Sequence, residues 1–216
     1  MTRPPGPRMA GPLRTAPPGL WILRGRCVGS LRMPRAPGSA ILRGVAPAGA
    51  REEDDVELTT VPIENPDGLN LILGQSHFVK TVDDLHETLV GVSPHLRFGL
   101  AFCEASAQRL VRRSGNDETL VDLATRNAAA IGAGHTFIVF IREGYPVNVL
   151  NQLKLVPDVC GIYCATANPV EVVVAETAQG RGVLGVIDGA PPLGIETDDD
   201  VTVRREFLRT FGYKLG

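Results

Sequence analysis

Carboxylates are missing from the first 51 residues of the chain, which contain nine Arg, nine Pro and neither Asp nor Glu. The first acid is Glu52, which opens the run EEDD. An acid-free, Arg-rich segment has the composition of an organelle transit peptide, mitochondrial or plastid. Within it GLWILRGRCVGSLR, residues 19–32, has the make-up of a short basic amphipathic helix; its scarcity of Ser and the nearby prolines point the other way. A Pro/Arg-rich tail that stays attached, with the protein in the cytoplasm, is the competing reading. On both readings the folded domain is expected at 52–216.

Other absences narrow the function. No apolar run approaches the roughly 20 residues that a membrane-spanning helix needs. Charge is nearly balanced, with 22 Lys and Arg against 24 Asp and Glu, which gives no overall reason to expect nucleic acid or an anionic membrane as partner. Aromatic residues make up only 5%, so Val, Ile, Leu and Ala must build most of the core. Of the four cysteines, Cys27 falls in the N-terminal segment, and Cys103, Cys160 and Cys164 leave an odd number set in apolar runs. That is no disulfide framework, and it favours a reducing compartment. Cys160 and Cys164 would share one face of a strand over 159–166, but no second Cys or His pair stands near to complete a zinc site. No Walker A pattern occurs anywhere.

From Val56 onward the patterning is regular. VELTTVPI and LNLILGQ read as strands separated by the turn NPDG. KTVDDLHETLVGV carries apolar residues at helical spacing, with Thr81 placed as its cap. RFGLAFCEA and QRLVRRSGND read as strands, and DETLVDLATRNAAAI as a helix that stops at Gly132. HTFIVFI is a buried strand, and PVNVLNQLKLV is a helix opened by Pro. Three strands follow, VCGIYCAT, VEVVVAET and GVLGVID, then a terminal helix DDDVTVRREFLRTFGYK with acids first and bases later. The order β-β-α-β-β-α-β-α-β-β-β-α predicts a single compact α+β domain, with a mixed or mostly antiparallel sheet and helices packed on one face.

Polar residues collect at the strand ends and turns. GQSHF supplies His77, CEAS supplies Glu104, and RRSGND supplies Arg112 and Asp117. Asn148 and Asn151 lie on a helix, Thr166 and Asn168 in ATANP. TAQGRGVLGVIDG supplies Gly180, Arg181, Gly182 and Asp188. GRG has the composition of a tight hairpin with Arg181 at its tip. That plain hairpin is the favoured reading; the alternative is backbone N–H groups and a guanidinium set to meet phosphate oxygens. His135, in IGAGHTFIVF, follows two glycines that would let a phosphate come close to the backbone. An imidazole there is either a satisfied core residue or a general base or nucleophile.

GQSHFVKTVDDL, FGLAFCEAS, RLVRRSGND, GAGHTFIVF, YPVNVLNQLKLVPDVCGIYCATANPVEVVVAET and GRGVLGVIDG together resemble the adenosine-specific kinase family, a small domain best represented in archaea and bacteria. The likeness runs from about Val56 to Lys214 in unbroken order. It implies an α+β domain that binds adenosine or AMP, assembles as a homo-oligomer with a trimer as the expectation, and forms a stable phosphohistidine. His135 is the favoured histidine and His77 the second. His86 and His95 lie where the family pattern is tolerant. With ATP as donor, Arg112 and Arg181 would clamp phosphates beside Gly180 and Gly182, and Glu104, Asp117 or Asp188 would hold Mg²⁺. Asn148, Asn151, Thr166 and Asn168 would read the ribose or base. The alternative is a non-catalytic adenosine or AMP sensor using the same pocket.

Overall fold

The computed structural model describes residues 55–210, 212 and 213; the expectations placed on residues 1–51 lie outside the described residues. The elements follow the expected order: β1 (Glu57–Pro62), β2 (Asn70–Ser76), α1 (Thr81–Val92), β3 (Arg97–Cys103), β4 (Val111–Gly115), α2 (Glu118–Ile131), β5 (Thr136–Arg142), α3 (Pro146–Lys154), β6 (Val159–Thr166), β7 (Val170–Thr177), β8 (Gly180–Asp188) and α4 (Asp198–Thr210). They build a five-stranded sheet, β4-β3-β5-β2-β6, and a three-stranded sheet, β1-β7-β8. Every neighbouring pair is antiparallel, so the domain is α+β.

The expectation that helices cover one face is corrected. Alternate residues of the five-stranded sheet enter two separate cores. Phe98, Leu100 and Phe102 of β3 and Phe137, Val139 and Ile141 of β5 pack with Val82, Leu85 and Leu89 of α1 and Val149 and Leu153 of α3. The intervening Ala101, Cys103, Ile138 and Phe140 pack with Leu120, Leu123, Ala124, Ala128 and Ile131 of α2 and Val170, Val172 and Val174 of β7. The sheet is therefore sandwiched, with α1 and α3 on one side and α2 with the small sheet on the other. Each fully buried Leu, Ile or Phe contributes about 1.5–3 kcal/mol, which makes the doubly buried β3 and β5 the anchor of the fold.

Local chemistry places α2 closely. Asp117 caps its start, accepting from the Leu120 N–H at 3.3 Å and the Thr119 hydroxyl at 2.7 Å. Gly132 ends it with φ 61° and donates to the Ala128 carbonyl. A Cβ built on Gly99 would stand 2.1 Å from the Leu120 carbonyl carbon and the Val121 nitrogen, so α2 rests its backbone on β3. Buried Asn127 ties the β1–β2 connection to this helix: it accepts from the Glu64 N–H at 2.7 Å and donates to the Glu64 carbonyl at 2.9 Å.

Three finer expectations are corrected. Thr81 does not cap α1 with its oxygen; its hydroxyl donates back to the Phe78 carbonyl and Lys80 occupies the cap. Arg181 is not at a hairpin tip: Thr177 pairs with Gly180, so Ala178 and Gln179 make the turn and Arg181 stands opposite Glu176. Cys160 and Cys164 do not share a face, because two register shifts against β2 fall in this stretch; Cys160 is exposed and Cys164 buried.

Candidate functional site

β2 and β3 end, and β5 and β6 begin, at one edge of the five-stranded sheet, and both favoured histidines sit there. His135 enters β5 with φ 62°, a left-handed conformation that costs a non-glycine residue about 1–2 kcal/mol. Its backbone is held from both sides: the N–H donates to the Cys103 carbonyl at 2.7 Å, and the carbonyl accepts from the Ser76 N–H at 2.9 Å. The half-buried ring lies over Phe102, centroids 5.9 Å apart. Gly134 does not leave open room beside it, since a Cβ there would meet the Ala105 Cβ at 2.9 Å. The glycine is required by packing.

His77 stands just beyond β2. Its N–H donates to the Asp158 carbonyl at 3.1 Å, which extends the β2–β6 pairing by one rung and sets the two side chains together. The imidazole Nε2 is 3.6 Å from Asp158 Oδ1, with His77 61% exposed and Asp158 12%. Asp158 Oδ2 and the Ser76 hydroxyl are both buried with no hydrogen-bond partner among the described residues. Unpaired buried polar atoms cost about 1–3 kcal/mol each and mark places where something outside the fold completes the bonding. Sequence reasoning missed Asp158. Nothing in VPDVCG signals a partner for a histidine on another strand.

A cleft of about 700 Å³ opens at the same edge, between the β3–β4 loop, the C-terminal end of α2 and the β7–β8 hairpin. Leu110, Val111, Ala129 and Ala175 form its apolar wall; Glu104, Arg109, Gln179 and Arg181 bring polar groups to it. That volume suits a nucleoside-sized ligand. Arg181 donates from Nε to Glu176 at 2.9 Å and from Nη1 to the Ala130 carbonyl at 3.3 Å, where it also offsets the negative end of α2. Gly180 and Gly182 flank it in the wall. Arg112 donates to Glu104 at 3.0 Å while its Nε is buried with no partner among the described residues. Arg109, which sequence reasoning passed over, has φ 54° in the loop and no side-chain partner among the described residues. Cys103 lies at the back of the cleft, its thiol pushed up to about 11 by burial.

The remaining expected residues lie elsewhere. Asp117 follows β4 at the far end of β3 from Glu104, where it caps α2 and pairs with Arg142 at 3.1 Å. Asp188 ends β8 away from the hairpin and accepts from Asn168 at 3.0 Å. A strand of seven or more residues runs beyond about 20 Å, so neither Asp117 nor Asp188 shares an ion with Glu104. Among the described residues no three His, Cys, Asp or Glu side chains come together as a metal centre. Thr166 accepts from the Asn168 N–H in the β6–β7 turn, at the edge opposite His77. Asn148 accepts from the Tyr145 N–H at 2.9 Å and so closes the first turn of α3; Asn151 is exposed on that helix. None of these four supposed base and ribose readers is among the described residues that line the cleft.

The pattern of a whole protein family matches residues 61–214; its description is adenosine specific kinase. The chain belongs to the adenosine-specific kinase family. The crystal structure of the PH1918 protein from Pyrococcus horikoshii OT3 is similar at 45% sequence identity and a TM-score of 0.72, over 75% of this chain and 100% of that one. No curated protein matches. Family membership points to adenosine-related kinase activity, and no helix among the described residues is long and apolar enough to cross a membrane.

Proposed function

We propose that this member of the family transfers the γ-phosphoryl group of ATP to adenosine by way of a phosphohistidine, and that His77 carries it. The observation behind this choice is the exposed His77 imidazole held beside the buried carboxylate of Asp158. A carboxylate on one nitrogen fixes the ring and balances the positive charge that forms when the other nitrogen attacks, the arrangement by which nucleophilic and basic histidines are generally activated. The sequence favoured His135 because of its glycines. With Gly134 accounted for by Ala105, and with the His135 ring half-buried over Phe102, His135 is better suited to form the wall against which the reacting group is placed.

The cleft takes the nucleoside in this reading. Arg181 and Arg109 face its phosphate-bearing end, and Gln179 offers an amide to a base or ribose edge. Mg²⁺ fits as an ion brought in with the nucleotide, because Glu104 is the one carboxylate of the original set at the cleft and Mg²⁺ is commonly held by one or two carboxylates plus phosphate oxygens. When bound it would neutralise phosphate charge. The protein supplies position and fixed charge, which is most of what phosphoryl transfer requires.

A homo-oligomer, a trimer in the family expectation, is part of the proposal. Helix α4 buries none of its residues, while Leu193 and Ile195 ahead of it are 104% and 96% exposed. An assembly would cover them. Sedimentation at micromolar concentration measures this directly.

The deciding experiment incubates the full chain with γ-labelled ATP and Mg²⁺, beside His77→Asn and His135→Asn, and then offers adenosine. Acid-labile label absent only from His77→Asn, and passed to adenosine, supports the proposal. Label lost only in His135→Asn moves the nucleophile. No label in any form, with AMP raising the melting temperature, leaves a nucleotide sensor.

A further inference from the structure

We infer that Asp158 is the positioning residue for His77 and that it directs the phosphoryl group to Nδ1 rather than Nε2. The inference rests on the reading that His77 is the phosphorylated residue. The two residues are cross-strand neighbours, tied by the His77 N–H to Asp158 carbonyl bond at 3.1 Å, so their proximity is set by backbone and not by chance rotamers. Nε2 is the nitrogen that faces the carboxylate, 3.6 Å from Oδ1. A carboxylate stabilises the tautomer with its proton on the facing nitrogen, which leaves the lone pair on Nδ1. Asp158 is itself buried, and its Oδ2 has no hydrogen-bond partner among the described residues.

The other charge near Asp158 does not neutralise it. Lys80 feels the Asp158 charge, but its Nζ is bonded to Asp84. The carboxylate is left to act on the imidazole. In the transfer the Nδ1 lone pair attacks the γ-phosphorus of ATP, the bond from that phosphorus to its bridging oxygen breaks, and ADP leaves with the electron pair. The product is an Nδ1-phosphoimidazolium that retains its Nε2 proton. Its positive charge lies against Asp158, in a partly desolvated setting where the pairing is stronger than in water.

Regiochemistry separates this inference from the kinase reading. The full chain, with its histidines ¹⁵N-labelled, would be phosphorylated with ATP and Mg²⁺ and, in parallel, with potassium phosphoramidate, which needs no enzyme activity. Long-range ¹H–¹⁵N correlation then assigns the phosphorylated nitrogen, with His77→Asn identifying the signal. The expected result is Nδ1 attachment with both donors. Asp158→Asn, which keeps the shape, should slow labelling by ATP about ten- to a hundredfold, the range seen when the carboxylate partners of metal-binding histidines are removed. It should also yield Nε2 or mixed attachment, and Asp158→Glu should restore Nδ1. Attachment at Nε2 of His77 in the unaltered chain overturns the inference and leaves the kinase reading standing. Label on His135 and not on His77 overturns both. Unchanged attachment and rate in Asp158→Asn also overturns the inference, whatever the stability of that variant.

Discussion

Replacing Ser76 by Ala should make the protein more stable. Ser76 is 2% exposed, and its hydroxyl finds no hydrogen-bond partner among the described residues. A buried hydroxyl left unpaired costs about 1–3 kcal/mol, and Ala removes that cost. The backbone bond from the Ser76 N–H to the His135 carbonyl is untouched by the change. The opposing term is the void left by one oxygen atom, on the order of 10–15 Å³, which at roughly 24 cal/mol per Å³ costs about 0.3 kcal/mol. The net expectation is a gain of about 1 kcal/mol or more, equivalent to about 2–4 °C in melting temperature for a domain of this size. Urea unfolding of both forms, without nucleotide, measures it. The same variant should label more slowly with ATP, since a group kept at a cost to stability and placed next to His77 is one a ligand is positioned to satisfy. A loss of 1 kcal/mol or more would refute the reasoning, because the hydroxyl would then have a partner such as a fixed water in the free protein.

Three other outcomes follow from the geometry. Gly99→Ala should cost more than about 3 kcal/mol in urea unfolding, because the new Cβ meets backbone atoms of α2 at 2.1 Å and no side chain can swing aside. Asp117 is held below the usual carboxylate range, first by the Thr119 hydroxyl and then by the Leu120 N–H and Arg142. The stability it contributes is complete above its unfolded value of about 3.9 and is lost as pH falls through its lower folded value, so the advantage of the parent over Asp117→Asn should shrink between pH 5 and 2. Burial pushes the Cys103 and Cys164 thiols up to about 11, whereas Cys160 is exposed. At pH 8 about one in a thousand of the buried thiols is ionised, so native-state alkylation followed by peptide mapping should find Cys160 modified well before either.

The order of elements was legible because each boundary carries its own chemistry. Gly132 must take the left-handed turn that ends α2, Pro146 can begin α3 but not continue a strand, and NPDG cannot extend β1. The sandwich was not legible. A strand buried on both faces reads as an unbroken apolar run, and FIVFI says that both faces are covered without saying by what. The glycines misled for a related reason: a missing side chain is needed wherever another group comes close, and at Gly134 that group is Ala105 of the same chain. The pairing of His77 with Asp158 was the least accessible of all. It depends on two register shifts between β2 and β6, at Leu73/Gly74 and at Gln75/Ser76. Each shift moves the following residues by one place, and one place in a strand exchanges its faces. Without them Asp158 would not lie beside His77. The apolar pattern of VCGIYCAT fits the shifted and unshifted registers about equally, since its small residues tolerate either face. A site built on a bulge is thus encoded in the fit of two distant strands and in no motif of either one.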